Sequence, residues 1–185
     1  VAWLALSPGI DFASSQAKEQ IPMTELPEAG RDVPSFYVRA VTGPLAGKSV
    51  CYICRNGDRP VVMVLLRELG PDTVLLLKEL DRTVNRHRAE GLRCFAVLLS
   101  DAAPRDSARL QTLAFDEKID LPLTLVGESA TQGSSLDFPR DAAVSVVTYQ
   151  DRRIIERFSF KAGSCDERAR RSIIAASEKL ASGNE

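Results

Sequence analysis

Cys51 and Cys54 stand three residues apart in Val50-Cys51-Tyr52-Ile53-Cys54-Arg55, just ahead of an apolar run that begins at Val61. Two thiols at that spacing can close a local disulfide, exchange disulfides with a partner through a thiolate, or supply part of a metal site. In an extended strand positions i and i+3 face opposite ways, so a bond between the sulfurs requires a turn. Arg55-Asn56-Gly57-Asp58 supplies a turn just beyond the pair, and Arg55 is placed to favour a thiolate. If the pair reacts, the better exposed sulfur attacks and the other resolves; the sequence does not assign the roles.

C-x-x-C-x-x-G has the look of one zinc-ribbon knuckle, but a ribbon needs a second pair. Cys94 and Cys165 are not spaced as one, and His87 is the only histidine, so a metal on Cys51 and Cys54 is expected only if two chains share the site. Cys94 lies in an apolar strand-like run and reads as a small core residue. Cys165 falls just before the last helix, where the helix N-terminus would lower its pKa while Asp166 and Glu167 would raise it, and it reads as a capping-region residue with Ser164 as N-cap. His87, in Asn85-Arg86-His87-Arg88, reads as a solvated helix residue. Glycine-rich nucleotide loops and a Gly-x-Ser-x-Gly elbow are absent, and no cofactor is expected.

These residues need a scaffold, and the composition allows one. With 185 residues, 44% apolar and 26% charged, the chain can bury one good core. Lys+Arg 24 against Asp+Glu 25 gives a net charge of -1, which leaves no electrostatic footprint for nucleic acid. The expected partner is a small molecule, a thiol or a protein; the oligomeric state stays open.

Residues 1–32 mix Pro, Gly, Ser and charge without a period and read as a flexible leader, with one domain over 33–185. The leader's short apolar start and small residues resemble the tail of a secretory signal, although Pro8 and Asp11 interrupt it, so export and cytoplasmic residence both stay open. No stretch reaches the ~20 apolar residues of a membrane span. Two extended segments flank Gly43-Pro44-Leu45-Ala46-Gly47 as a hairpin. Pro60 opens a doubly buried strand running to Glu68, and Val74, Leu77, Leu80 and Val84 mark a helix that Gly91 closes. Asp72 is expected to cap that helix by accepting its free N–H groups. A second strand spans 92–99, a second helix begins at Ala102-Ala103-Pro104, and a short strand covers 121–126. A Ser- and Gly-rich loop covers 127–140. A hairpin turning at Gln150-Asp151 and a final helix over about 166–181 complete the chain. Alternation in the middle calls for a parallel sheet, and the last hairpin adds antiparallel strands: an α/β fold with a mixed sheet and flanking helices.

That element order, over roughly 33–181, resembles the thioredoxin-like superfamily, and within it the peroxiredoxin-like branch that adds an N-terminal β-hairpin. The resemblance implies a reactive cysteine where the first core strand meets its helix. Here Leu69-Gly70-Pro71-Asp72 stands in place of C-G-P-C, keeping Gly-Pro and lacking both cysteines. Arg67, Pro71 and Thr73 match parts of a peroxiredoxin site, yet no cysteine follows in the helix. The family's cis-proline would fall near Ala143, where Ala142-Ala143 stand and Pro139 is several residues early. The resemblance therefore implies a degenerate active site at Leu69–Thr73. The first functional reading is a noncatalytic or partner-binding module, and the alternative is a thiol-disulfide oxidoreductase or antioxidant-type redox protein using Cys51 and Cys54 in a displaced site. The two sites fall at opposite ends of the strand from Pro60 to Glu68, about 30 Å of extended chain.

Overall fold

The computed structural model describes residues 29–127, 139 and 141–183; residues 1–28 of the expected leader and nearly all of the loop expected over 127–140 lie outside these. Val61–Leu66 (β3) is buried at every position. It pairs in parallel with Arg93–Leu99 (β4) on one side and antiparallel with Val144–Gln150 (β6) on the other. A continuous apolar run is stable there because both faces of the strand are covered. Six residues at ~3.3 Å give β3 a length of about 20 Å, shorter than the span expected from sequence, because Arg67 and Glu68 already belong to the turn.

Four more strands complete the mixed sheet: Val38–Ala40 (β1), Ser49–Val50 (β2), Leu123–Val126 (β5) and Arg153–Phe160 (β7). The order is β2-β1-β5-β4-β3-β6-β7, which realises the expected α/β architecture with its N-terminal hairpin. The β6–β7 hairpin turns on Asp151 and Arg152, both at positive φ (51° and 61°), the backbone twist a two-residue hairpin turn requires. The chain joins the sheet early: Gly30 N–H donates to Ile154 O at 2.8 Å and Val33 N–H to Arg152 O at 2.7 Å.

Between Val50 and β3 the chain forms Tyr52–Asn56 (α1), a five-residue helix where the sequence suggested extended chain. The other helices are Pro71–Arg86 (α2), Ala103–Glu117 (α3) and Glu167–Ser182 (α4). Side chains alternate across β3, so the core divides in two. Val62, Val64 and Leu66 pack with Leu76, Leu77 and Leu80 of α2, Leu110 of α3 and Ile173 of α4. Val61, Met63 and Leu65 pack with Tyr52 and Ile53 of α1 and with Phe95 and Val97. Helices thus lie on both faces, with α1 alone on its side among the described residues.

Three expected helix ends differ. Gly70, not Asp72, is the N-cap of α2 and makes no side-chain cap bond; with Pro71 at the first helical position, Asp72 is already inside the first turn. The same helix ends at Arg86, with His87 N–H on Thr83 O at 3.0 Å, before Gly91 is reached. In α4 the N-cap is Asp166, whose Oδ1 accepts the Ala169 N–H at 3.0 Å, two residues later than Ser164.

Candidate functional site

Cys51 and Cys54 form a disulfide, with Cα atoms 5.3 Å apart. The turn this demands is α1 itself: Cys51 is its N-cap and Cys54 its third residue, the i, i+3 spacing that brings side chains together on a helical turn. The Cys54 N–H donates to Cys51 Sγ at 3.1 Å. Tyr52 and Ile53, between the cysteines, hold the turn against the sheet; Ile53 is wholly buried, and the Tyr52 ring stacks on Phe95 with centroids 4.9 Å apart. Gly57, at φ 60°, ends the helix.

The two sulfur-bearing residues differ in access. Cys51 is 6% exposed, whereas Cys54 is exposed, as are Arg55 beside it and Arg59. The pair therefore presents one of its two residues to solvent and buries the other.

The turn after β3 carries no thiol. Arg67 anchors it, donating from Nη1 to Pro139 O at 3.0 Å and Ala142 O at 3.1 Å, while its N–H reaches Ala143 O at 2.9 Å. No cis peptide bond occurs among the described residues. Asp72 Oδ1 sits 3.8 Å from the guanidinium of Arg170 on α4, which also contacts Glu79 Oε1 at 3.3 Å and Cys165 O at 3.1 Å. Thr73 is buried, and Leu69 packs on the core. Sequence reasoning missed Arg170; its only sequence signal is a cation on the expected inner face of the last helix.

In chain order Cys51–Cys54 precede β3 and Leu69, Gly70, Pro71, Asp72 and Thr73 follow it. The pair does not fall beyond the start of β3 as expected: through the register Ser49–Arg39–Leu125–Leu98–Leu66 the chain leaves β2 level with the C-terminal end of β3, and α1 then packs over the sheet face. Cys94, 6% exposed, and Cys165, 2% exposed, are free thiols in the core, as its apolar run suggested for Cys94. Burial pushes the Cys165 thiol up to about 11 and raises that of Cys94 further, so neither supplies a thiolate near neutrality. His87, at the end of α2, hydrogen-bonds Glu90. Among the described residues no cluster of three or more metal-ligating side chains occurs, and no helix is long and apolar enough to cross a membrane.

No family model matches the chain, and no curated protein matches it in sequence. Solved structures do match in shape. An uncharacterized conserved protein from Geobacillus kaustophilus superposes with TM-score 0.67 at 17% identity, covering 86% of this chain and 85% of that one. A thiol:disulfide interchange protein from Bacteroides sp. gives TM-score 0.60 at 14% identity, covering 85% of this chain and 93% of its own. The yeast mitochondrial 1-Cys peroxiredoxin gives TM-score 0.58 at 12% identity, covering 84% and 79%. The fold is thioredoxin-like, shared with thiol:disulfide interchange proteins and peroxiredoxins.

Proposed function

On this thioredoxin-like scaffold, we propose that the protein exchanges disulfides with a thiol partner through Cys51–Cys54, in a site displaced from the turn after β3 to α1. The observation that carries the reading is the linked pair itself: an exposed Cys54 bonded to a buried Cys51 whose sulfur already accepts a backbone N–H. An incoming thiolate reaches the Cys54 sulfur. A new S–S bond forms there, the Cys51–Cys54 bond breaks, and its electron pair leaves on Cys51 Sγ as a thiolate. The Cys54 N–H stabilises that leaving group, which is what speeds exchange. A second partner thiolate then attacks the partner's sulfur in the mixed disulfide and releases Cys54; two electrons have passed to the pair and the partner's two thiols have become a disulfide. Run backwards, Cys51 is the resolving thiol.

The test is insulin reduction by the full chain and by Cys51→Ser and Cys54→Ser, with intact-mass alkylation under native conditions. The expected result is a pair that opens at mild reducing potential and activity lost in both variants. Cys51→Ser should also retain a mixed disulfide on Cys54, while Cys54→Ser should not on the buried Cys51. Equal activity in wild type and double variant overturns the reading.

A second reading, the noncatalytic or partner-binding module, draws on a different observation: Arg67 and Arg170 fill the turn after β3 with hydrogen bonds and ion pairs rather than chemistry. In that case Cys51–Cys54 serves α1, and the exposed Pro71 end is the binding face.

A further inference from the structure

At the end of the sheet where β4 and β5 begin, a cleft of about 580 Å³ opens beside α1. That is within the size range of small-molecule sites. Tyr52, Arg55 and Asn56 of α1 line it. At 3.6 residues per turn Cys54 projects roughly to the other side of the helix, so this cleft is separate from the disulfide.

Its charge is concentrated. Arg55, Arg59, Arg88 and Arg93 converge on it from α1, from the loop after it, from beyond α2 and from β4. Among the described residues none of the four makes an ion pair. Two acidic residues line the same cleft, Asp81 and Asp120. Asp81 is committed elsewhere: its Oδ1 accepts the N–H groups of Asp120 at 3.0 Å and Leu121 at 2.8 Å, and its Oδ2 accepts from Asn85 at 3.3 Å. The cluster thus gathers positive charge in a chain of net charge -1. Arg93 is held in place by donating to Leu92 O at 2.8 Å and Arg88 O at 3.2 Å. Burial, and then the charges of Arg59 and Arg88, press on its protonated state. A second feature points the same way: Tyr52, 6% exposed, is a residue of the cleft wall, and its buried hydroxyl has no hydrogen-bond partner among the described residues. Leu45, Val84 and Pro122 supply apolar wall.

We infer that this cleft binds a small organic anion, its phosphate or carboxylate group held by the guanidinium groups and its apolar body against Leu45, Val84 and Pro122. Guanidinium forks suit both oxyanions, and an anion relieves the repulsion among the arginines. The site does not depend on disulfide exchange.

Calorimetric titration of the full chain with phenyl phosphate and with benzoate, at fixed ionic strength, tests this. Saturable binding of either probe is expected, weakened about tenfold in Arg59→Gln and in Arg55→Gln and weakened by added salt. These two arginines are exposed and carry no side-chain hydrogen bond among the described residues, so both variants keep the fold, unlike changes at Arg93. Binding of phenyl phosphate alone assigns a phosphate ligand, and binding of benzoate alone a carboxylate. Absence of saturation with both probes in the millimolar range overturns the site, as does binding unaltered in both variants. Inorganic phosphate binding as tightly as phenyl phosphate overturns the apolar half of the ligand.

Discussion

Reducing the Cys51–Cys54 bond should leave the protein folded. The two cysteines are three apart in sequence, so the closed loop holds only four residues. Chain entropy removed from the unfolded state by so small a loop amounts to roughly 6 cal/mol/K, or about 2 kcal/mol at 25 °C. Against this, Ile53 and Tyr52 remain buried in either redox state, and each buried side chain of that size contributes about 1.5–3 kcal/mol. The first turn of α1 is thus held by packing more than by the bond. The expected cost of reduction is about 2 kcal/mol, a fall of roughly 4–8 °C in Tm for a domain of this size. The same energy seen from the sulfur side means that folding lowers the potential of the pair by only ~40 mV relative to the unfolded chain. Urea unfolding of oxidised and reduced protein, with a glutathione titration of the pair, measures both quantities. A loss above ~4 kcal/mol, or unfolding on reduction alone, would make the bond a structural staple and refute the exchange argument.

Other outcomes follow from particular contacts. Native alkylation after mild reduction should label Cys54 first and leave Cys94 and Cys165 unmodified until denaturant is added, since burial raises both thiols; prompt labelling of either would contradict their packing. The Ser100 hydroxyl, with Arg109 adding to it, holds the Asp106 carboxyl below the ordinary carboxylate range. Its contribution to stability is therefore full above the unfolded-state pKa near ~3.9 and lost as pH falls through the lowered folded value. Asp106→Asn should flatten the acid limb of a stability-against-pH curve, and an unchanged limb would exclude this residue. Arg170→Met should cost about 1–2 kcal/mol in urea unfolding, discounted because Asp72 and Glu79 keep side-chain exposures of 39% and 36%. Leu69→Cys with Asp72→Cys should create a second oxidisable pair at the head of α2, with Arg170 beside the new thiol, counted as two thiols lost on mild oxidation. Two thiols that stay free would show that the turn's backbone has moved away from the fold it resembles.

The long elements were legible because their patterns are long. VVMVLL reads as a doubly covered strand, the stripe Val74, Leu77, Leu80 and Val84 as a helix, and the two β-rich runs meeting at Gln150-Asp151 as a hairpin, whose turn falls one residue later, on Asp151 and Arg152. From these the α/β order, and with it the thioredoxin-like fold, could be read. Helix α1 was not legible, since five residues give no period and Tyr52 and Ile53 favour strands; tertiary burial of those two side chains overrides that preference. The C-x-x-C spacing was itself the missed clue, being helical spacing as much as a redox motif. Asp72 was misplaced for a related reason: an acid near a helix start satisfies capping and a distant arginine equally well on paper, and only the fold brings Arg170 to it. The cleft arginines, Arg55, Arg59, Arg88 and Arg93, look like scattered surface charges in sequence. Their convergence depends on where the parallel strands begin, which no local pattern encodes.

Strand β3 also divides the molecule. Val61, Met63 and Leu65 face α1, which carries the disulfide, while Val62, Val64 and Leu66 face α2, which begins at Pro71. Trimming a side chain at an odd position loosens the footing of one helix, and trimming its even-numbered neighbour loosens that of the other. The two helices can therefore be unsettled one at a time from within a single strand, without touching a residue of either.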